Sequence, residues 1–98
     1  MPRITTHPGE VLSEECMKPL GLSANRLGKV LGVPHNRISE IVRGHKSVSV
    51  DTALRLSKAF GTTPEFWLNL QTAHDLSKAK AEHAEDIDRQ VRPITAIA

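Results

Sequence analysis

Six polar side chains fall within nine residues of this chain: His35, Asn36, Arg37, Ser39, Glu40 and Arg43. Their chemistry is that of base recognition. Arginine can grip guanine through two parallel N–H bonds, asparagine can match adenine in the same two-point way, and a carboxylate can accept from the cytosine amino group. On a helix turning about 100° per residue, Asn36, Glu40 and Arg43 share a face, with Ser39 and Arg37 on its flanks. His35 projects from the first turn, and Ile38, Ile41 and Val42 point the opposite way. His35, Asn36, Ser39, Glu40 and Arg43 are therefore candidates for contact with base edges in the major groove. Glu40 would repel phosphates, so its place mid-face fits base reading or an intramolecular ion pair. A second set, Ser23, Asn25, Arg37, Lys46 and Ser47, could hold phosphates. Ser23 and Asn25 stand where free N–H groups at a helix start favour an anion, and Lys46 and Ser47 follow the polar helix in a loop.

Such a face needs a frame, and the stretch Ser23 to Gly44 supplies one. Two helices of about eight residues are joined by a short turn containing glycine, the layout of a helix-turn-helix. Leu27 and Leu31 face inward one turn apart, and Gly28 between them lets the two helices approach closely. Gly32 can take the positive φ of a sharp turn. Val33 plugs the turn from beneath, while Ile38 and Ile41 anchor the second helix on the first. An ordinary helical hairpin without a nucleic-acid role is the plainer alternative, but the charge of the same segment favours the former. From Gly21 to Ser47 five basic side chains face one acidic, whereas residues 48–98 hold six basic and seven acidic. A local basic excess suits a polyanion.

The remaining helices follow from caps and stops. A first helix opens at Pro8 and runs to about residue 18, with Leu12 and Cys16 on one face. Ser23 caps Ala24 to Leu31; the third helix runs from Pro34 to about Arg43, closed by Gly44. Ser49 caps Val50 to Phe60, where Ala53, Leu56, Ser57 and Phe60 line one side. Thr63-Pro64-Glu65 starts a fifth helix reaching about Ala81, and the polar residues 82–88 leave its continuation open. Phe66 and Trp67 are expected in the core beneath helices one and four. The apolar end, Val91 to Ile97, reads as an extended tail that must bury itself, with a second subunit as a candidate surface. The fold class is all-α: a five-helix DNA-binding domain over residues 1–81, then a tail over 82–98.

Other classes lack support. The 98 residues suffice for one domain, no apolar run approaches the ~18 residues of a membrane span, and the N-terminus lacks the order of a secretory signal. A single cysteine, Cys16, fits a reducing compartment, so a cytoplasmic location is expected. The five histidines never meet cysteine or carboxylate at metal-ligand spacing, and Glu14 and Glu15 beside Cys16 disfavour a thiolate. His74 and Asp75 are adjacent and diverge on a helix. No glycine loop cradles a phosphate. Neither catalysis nor a cofactor is expected.

With these residues in hand, the chain resembles the lambda-repressor-like helix-turn-helix proteins, and within them the HigA (VapI-type) antitoxins. The resemblance rests on His7-Pro8-Gly9-Glu10-Val11-Leu12, Gly21-Leu22-Ser23, Leu31-Gly32-Val33-Pro34, Asn36-Arg37-Ile38-Ser39, Ala53-Leu54-Arg55-Leu56-Ser57, Phe60-Gly61-Thr62 and Trp67-Leu68-Asn69-Leu70-Gln71. It implies a homodimer, binding to a near-palindromic operator, repression of the protein's own operon, and neutralisation of a HigB-type mRNA-cleaving toxin. A stand-alone repressor without a toxin, or an interaction module that has lost DNA binding, would keep the same fold.

Overall fold

Helix ends in this chain are written by single residues, and the computed structural model, which describes residues 5–96, follows them closely. The first helix, α1 (residues 8–20), is capped by His7, whose Nδ1 accepts the Gly9 N–H at 2.9 Å. It tightens and widens along its length: an α turn at Pro8–Val11, a π-helical stretch at Leu12–Met17, and a last turn at Lys18–Leu20. The widening accommodates Pro19, which donates no hydrogen bond and whose ring collides with the carbonyl four residues back in a regular helix. The Lys18 N–H accordingly reaches back five residues to the Ser13 carbonyl.

Then come α2 (Ala24–Leu31), α3 (His35–Val42), α4 (Val50–Phe60) and α5 (Pro64–Gln90). Ser23, Ser49 and Thr63 cap α2, α4 and α5 by accepting from the N–H groups of Arg26, Thr52 and Phe66. Gly32 closes α2 at φ 71°, the left-handed value the sharp turn needs. The five expected helices are present, with no strand among the described residues. The fifth continues unbroken through residues 82–88. The tail starts extended at Val91 and then makes one 3-10 turn at Ile94–Ala96; Ile97 lies outside the described residues. Val91 and Ile94 stay exposed, so within one chain the tail is not buried.

One core serves all five helices: Leu12 and Met17 from α1, Leu27 and Leu31 from α2, Ile38 and Ile41 from α3, Val48, then Ala53 and Leu56 from α4, and Trp67 from α5. Trp67 is fully buried and donates its indole N–H to Thr62 Oγ1 at 2.8 Å. Phe66 departs from expectation. It meets the Trp67 ring edge-on at 5.1 Å but remains 43% exposed, because adjacent residues on a helix point about 100° apart. Gln71 is the buried polar anchor. Its Oε1 accepts the Val48 N–H at 2.8 Å and its Nε2 donates to Asp75 Oδ1, which fixes the loop between α3 and α4 to α5.

Candidate nucleic-acid interface

The polar face of α3 is set by what lies under it. Ile38 and Ile41 are 0% and 1% exposed, and α3 is held between α1 and α2 at two glycines. A Cβ on Gly28 would come within 2.8 Å of the Val33 carbonyl oxygen, and one on Gly9 within 1.8 Å of the Ile41 carbonyl oxygen. Side chains at either position would push the helices apart. With its inner face pinned, α3 leaves His35 and Asn36 exposed, as is Arg43 at its C-cap, with Arg37, Ser39 and Glu40 half-buried along the edges.

Ten residues were singled out by type and spacing, and the structure groups them unevenly. Asn36, Arg37, Glu40, Lys46 and Ser47 line one open cleft of about 470 Å³ between α3 and the loop leading to α4. Ser23 and Asn25 line another, of about 510 Å³, with Arg26, Lys29 and Val30. His35, Ser39 and Arg43 lie in neither cleft and stand on the ridge of α3. Three of the ten already have partners within the chain, the first being Ser23, whose Oγ accepts the Arg26 N–H at 3.1 Å as the cap of α2. Glu40 Oε2 sits 3.2 Å from His45 Nδ1, the intramolecular alternative foreseen for it. Arg37 Nη1 donates to Asp51 Oδ2 at 3.0 Å, leaving its other N–H groups uncommitted among the described residues.

Asp51 also receives Arg55 Nε at 2.9 Å, and Arg55 Nη1 donates to the Leu31 carbonyl at 2.8 Å. The Arg55 hydrogen bond, reinforced by the charges of Arg55 and Arg37, holds the Asp51 carboxyl below the usual carboxylate value. Asp51 at the start of α4 thus ties α3, α4 and the turn after α2 into one electrostatic knot. Sequence reasoning missed this knot. The i, i+4 spacing of Asp51 and Arg55 announces a helix-surface pair, but nothing local says that the guanidinium reaches a carbonyl 24 residues away. It also missed Arg26 and Lys29, which the basic excess of the segment could have flagged. Arg26, Lys29, Arg43 and Lys46 have no acidic partner among the described residues, and all four are exposed.

A further cluster braces the surface from behind. The His7 ring packs edge-on to His74 with centroids 4.9 Å apart, and His74 Nδ1 donates to the Thr5 carbonyl at 2.7 Å. The backbone at Lys46, inside the loop that lines the first cleft, also acts on the His7 ring. Burial, then the neighbouring His74, hold its imidazole pKa below the ordinary 6.5, while Asp75 and the Lys46 contact pull the other way. Burial, then Glu15, push the Cys16 thiol up. No helix among the described residues is long and apolar enough to cross a membrane.

A helix-turn-helix family model, HTH_3, matches residues 14–67. The chain is 52% identical over 82 residues to virulence-associated protein I of Dichelobacter nodosus, an alignment covering 84% of this chain and 74% of that one. It superposes on antitoxin GraA in complex with its operator with a TM-score of 0.89 at 46% identity, covering 96% of this chain and 95% of that one. A Pseudomonas aeruginosa antitoxin, HigA with the higBA promoter, gives a TM-score of 0.87 at 33% identity, covering 96% and 99%.

Proposed function

Because the chain belongs to the helix-turn-helix family, in the branch that holds HigA and VapI, we propose that it is a sequence-specific DNA-binding antitoxin. On this reading it binds a near-palindromic operator as a homodimer, represses its own operon, and neutralises a HigB-type mRNA-cleaving toxin. The observation that carries the reading is the exposure of His35, Asn36 and Arg43 over a fully buried Ile38 and Ile41. A helix so held can enter a groove without unfolding anything. In this reading His35, Asn36, Ser39, Glu40 and Arg43 face base edges, with Asn36 and Arg43 making two-point contacts. Ser23 and Asn25 hold phosphates from the cleft on α2, Lys46 and Ser47 from the cleft beside α3, and the free N–H groups of Arg37 reach a third position. Arg26 and Lys29 add charge on the α2 side. The role assigned is one of binding, with no catalytic step.

The test is a gel shift with the gene's own promoter, combined with co-purification of the product of the adjacent reading frame. Arg43→Ala and Asn36→Ala should each lose about 1–3 kcal/mol of operator affinity while melting as the native chain does. Lys46→Ala should weaken all duplexes alike and lower the slope of log K against log salt by about 0.9. A promoter bound equally well by Arg43→Ala and Asn36→Ala would refute the assignment of α3. Specific promoter binding without a co-purifying partner would leave a repressor that is no antitoxin.

A further inference from the structure

An acid beside a surface that attracts a polyanion looks out of place, and Asp51 is such an acid. It lies in the first turn of α4, two residues after Ser49, which lines the same cleft as Arg37, and its side chain is 57% exposed. Alone it would repel phosphates. Its charge is engaged, however: one carboxylate oxygen, Oδ2, accepts both from Arg37 Nη1 at 3.0 Å and from Arg55 Nε at 2.9 Å. Arg55 is fixed in turn by the Leu31 carbonyl at 2.8 Å. A carboxylate in the first turn of a helix is also favoured by the free N–H groups there. The oxygen that Arg37 meets is therefore tied both to α4 and to the turn ahead of α3.

Arg37 differs in this from its neighbours. From Gly21 to Ser47 the other lysines and arginines, Arg26, Lys29, Arg43 and Lys46, have no acidic partner among the described residues. Each of those can follow a phosphate on any duplex, which gives attraction without preference. A guanidinium bound through Nη1 keeps its opposite edge, Nε–H beside an Nη2–H, and that edge is the fork that matches a pair of acceptor oxygens. Held in place, the fork rewards only a duplex whose register and shape bring an acceptor to it. Ordering the side chain beforehand also removes part of the rotamer entropy that binding would otherwise cost.

We propose that Asp51 is a specificity-determining positioning residue: through Arg37 it sharpens the preference for the operator over other duplexes, and by offsetting that cation it lowers attraction to DNA at large. This role rests on the operator-binding reading and adds to it a residue that stands one side chain behind the contact.

Anisotropy titrations of the full chain test this, with the gene's own promoter and a scrambled duplex of equal length and composition, over a series of salt concentrations. Asp51→Asn keeps the shape and removes the charge. It should bind the scrambled duplex more tightly, with a slope of log K against log salt steeper by up to about 0.9, as one more phosphate is neutralised. The ratio of promoter to scrambled affinity should fall about fivefold, the scale of an exposed ion pair. In an Arg37→Gln background, Asp51→Asn should leave the ratio where Arg37→Gln alone puts it. An equal drop with and without Arg37 would overturn the proposal and reassign Asp51 to the Arg55 clamp on the turn. An Asp51→Asn chain that discriminates as well as the native one would overturn it outright. Arg37→Lys keeps the cation, lacks the fork and leaves Arg55 its partner, so it reads the fork even where Asp51→Asn melts early. It should lower the ratio likewise, and an unchanged ratio there would also overturn the proposal. A native chain that favours the promoter no more than the scrambled duplex removes the operator-binding reading itself, whereas a native preference that survives Asp51→Asn removes only the role of Asp51.

Discussion

Gly9→Ala is the sharpest probe of how α3 is held. A Cβ at this position would lie 1.8 Å from the carbonyl oxygen of Ile41 and 2.7 Å from its carbonyl carbon. Both obstacles are backbone atoms of a helix whose inner side chains are fully buried, so neither can swing aside. Gly9 has no positive φ, which removes conformational freedom as the reason for its presence. At an open helical site, alanine would gain up to about 1 kcal/mol over glycine. Here α1 must instead separate from α3, and overpacking of this kind costs about 1–3 kcal/mol or more, the upper end applying to backbone obstacles. The net expectation is a loss of about 2 kcal/mol. With roughly 4–8 °C per kcal/mol for a domain of this size, Tm should drop by about 10 °C. Urea unfolding should show a lower midpoint at unchanged slope. Gly28→Ala, whose Cβ would sit 2.8 Å from the Val33 carbonyl oxygen, should fall between native and Gly9→Ala. A Gly9→Ala variant as stable as the native chain would refute the close-approach account of how α1 seats α3.

Two further outcomes can be stated. Gln71→Ala strands the buried Val48 N–H and should cost about 1–3 kcal/mol, whereas Gln71→Glu keeps that acceptor but sets a buried carboxylate against Asp75 in place of the Nε2 donor and should cost at least as much; denaturant melts of the two decide it. The His7 imidazole is held below its ordinary 6.5, so the folded chain favours the neutral ring and the unfolded chain takes up the proton first. Its contribution is complete above pH 6.5 and fades as the pH falls below that value. His7→Asn keeps a cap acceptor and should flatten this part of the stability–pH curve.

The recognition frame was legible because its determinants are local. Leu27, Leu31, Ile38 and Ile41 repeat at helical spacing, Gly32 marks the turn, and all four apolar residues are in the core. Capping residues behaved likewise at Ser23, Ser49 and Thr63. What escaped notice depends on pairs distant in sequence. Nothing near Gly9 reveals that Ile41 lies against it, and nothing near Arg55 reveals that it reaches Leu31. The extent of α5 was undecidable for a related reason: residues 82–88 have helix-forming composition but bury nothing within the chain. On the candidate site, side-chain type gave the face of α3 and the loop at Lys46 and Ser47, while the engagement of Arg37 by Asp51 required the fold.

The reach of Arg55 to the Leu31 carbonyl has a consequence for anyone wishing to borrow the reading head. Residues 23–43 look like a self-sufficient cassette, yet the bend between their two rods is clamped by a side chain from outside the segment. Grafted onto another scaffold, they would keep their letters and lose their angle, unless an acid–guanidinium brace were carried along to hold the elbow.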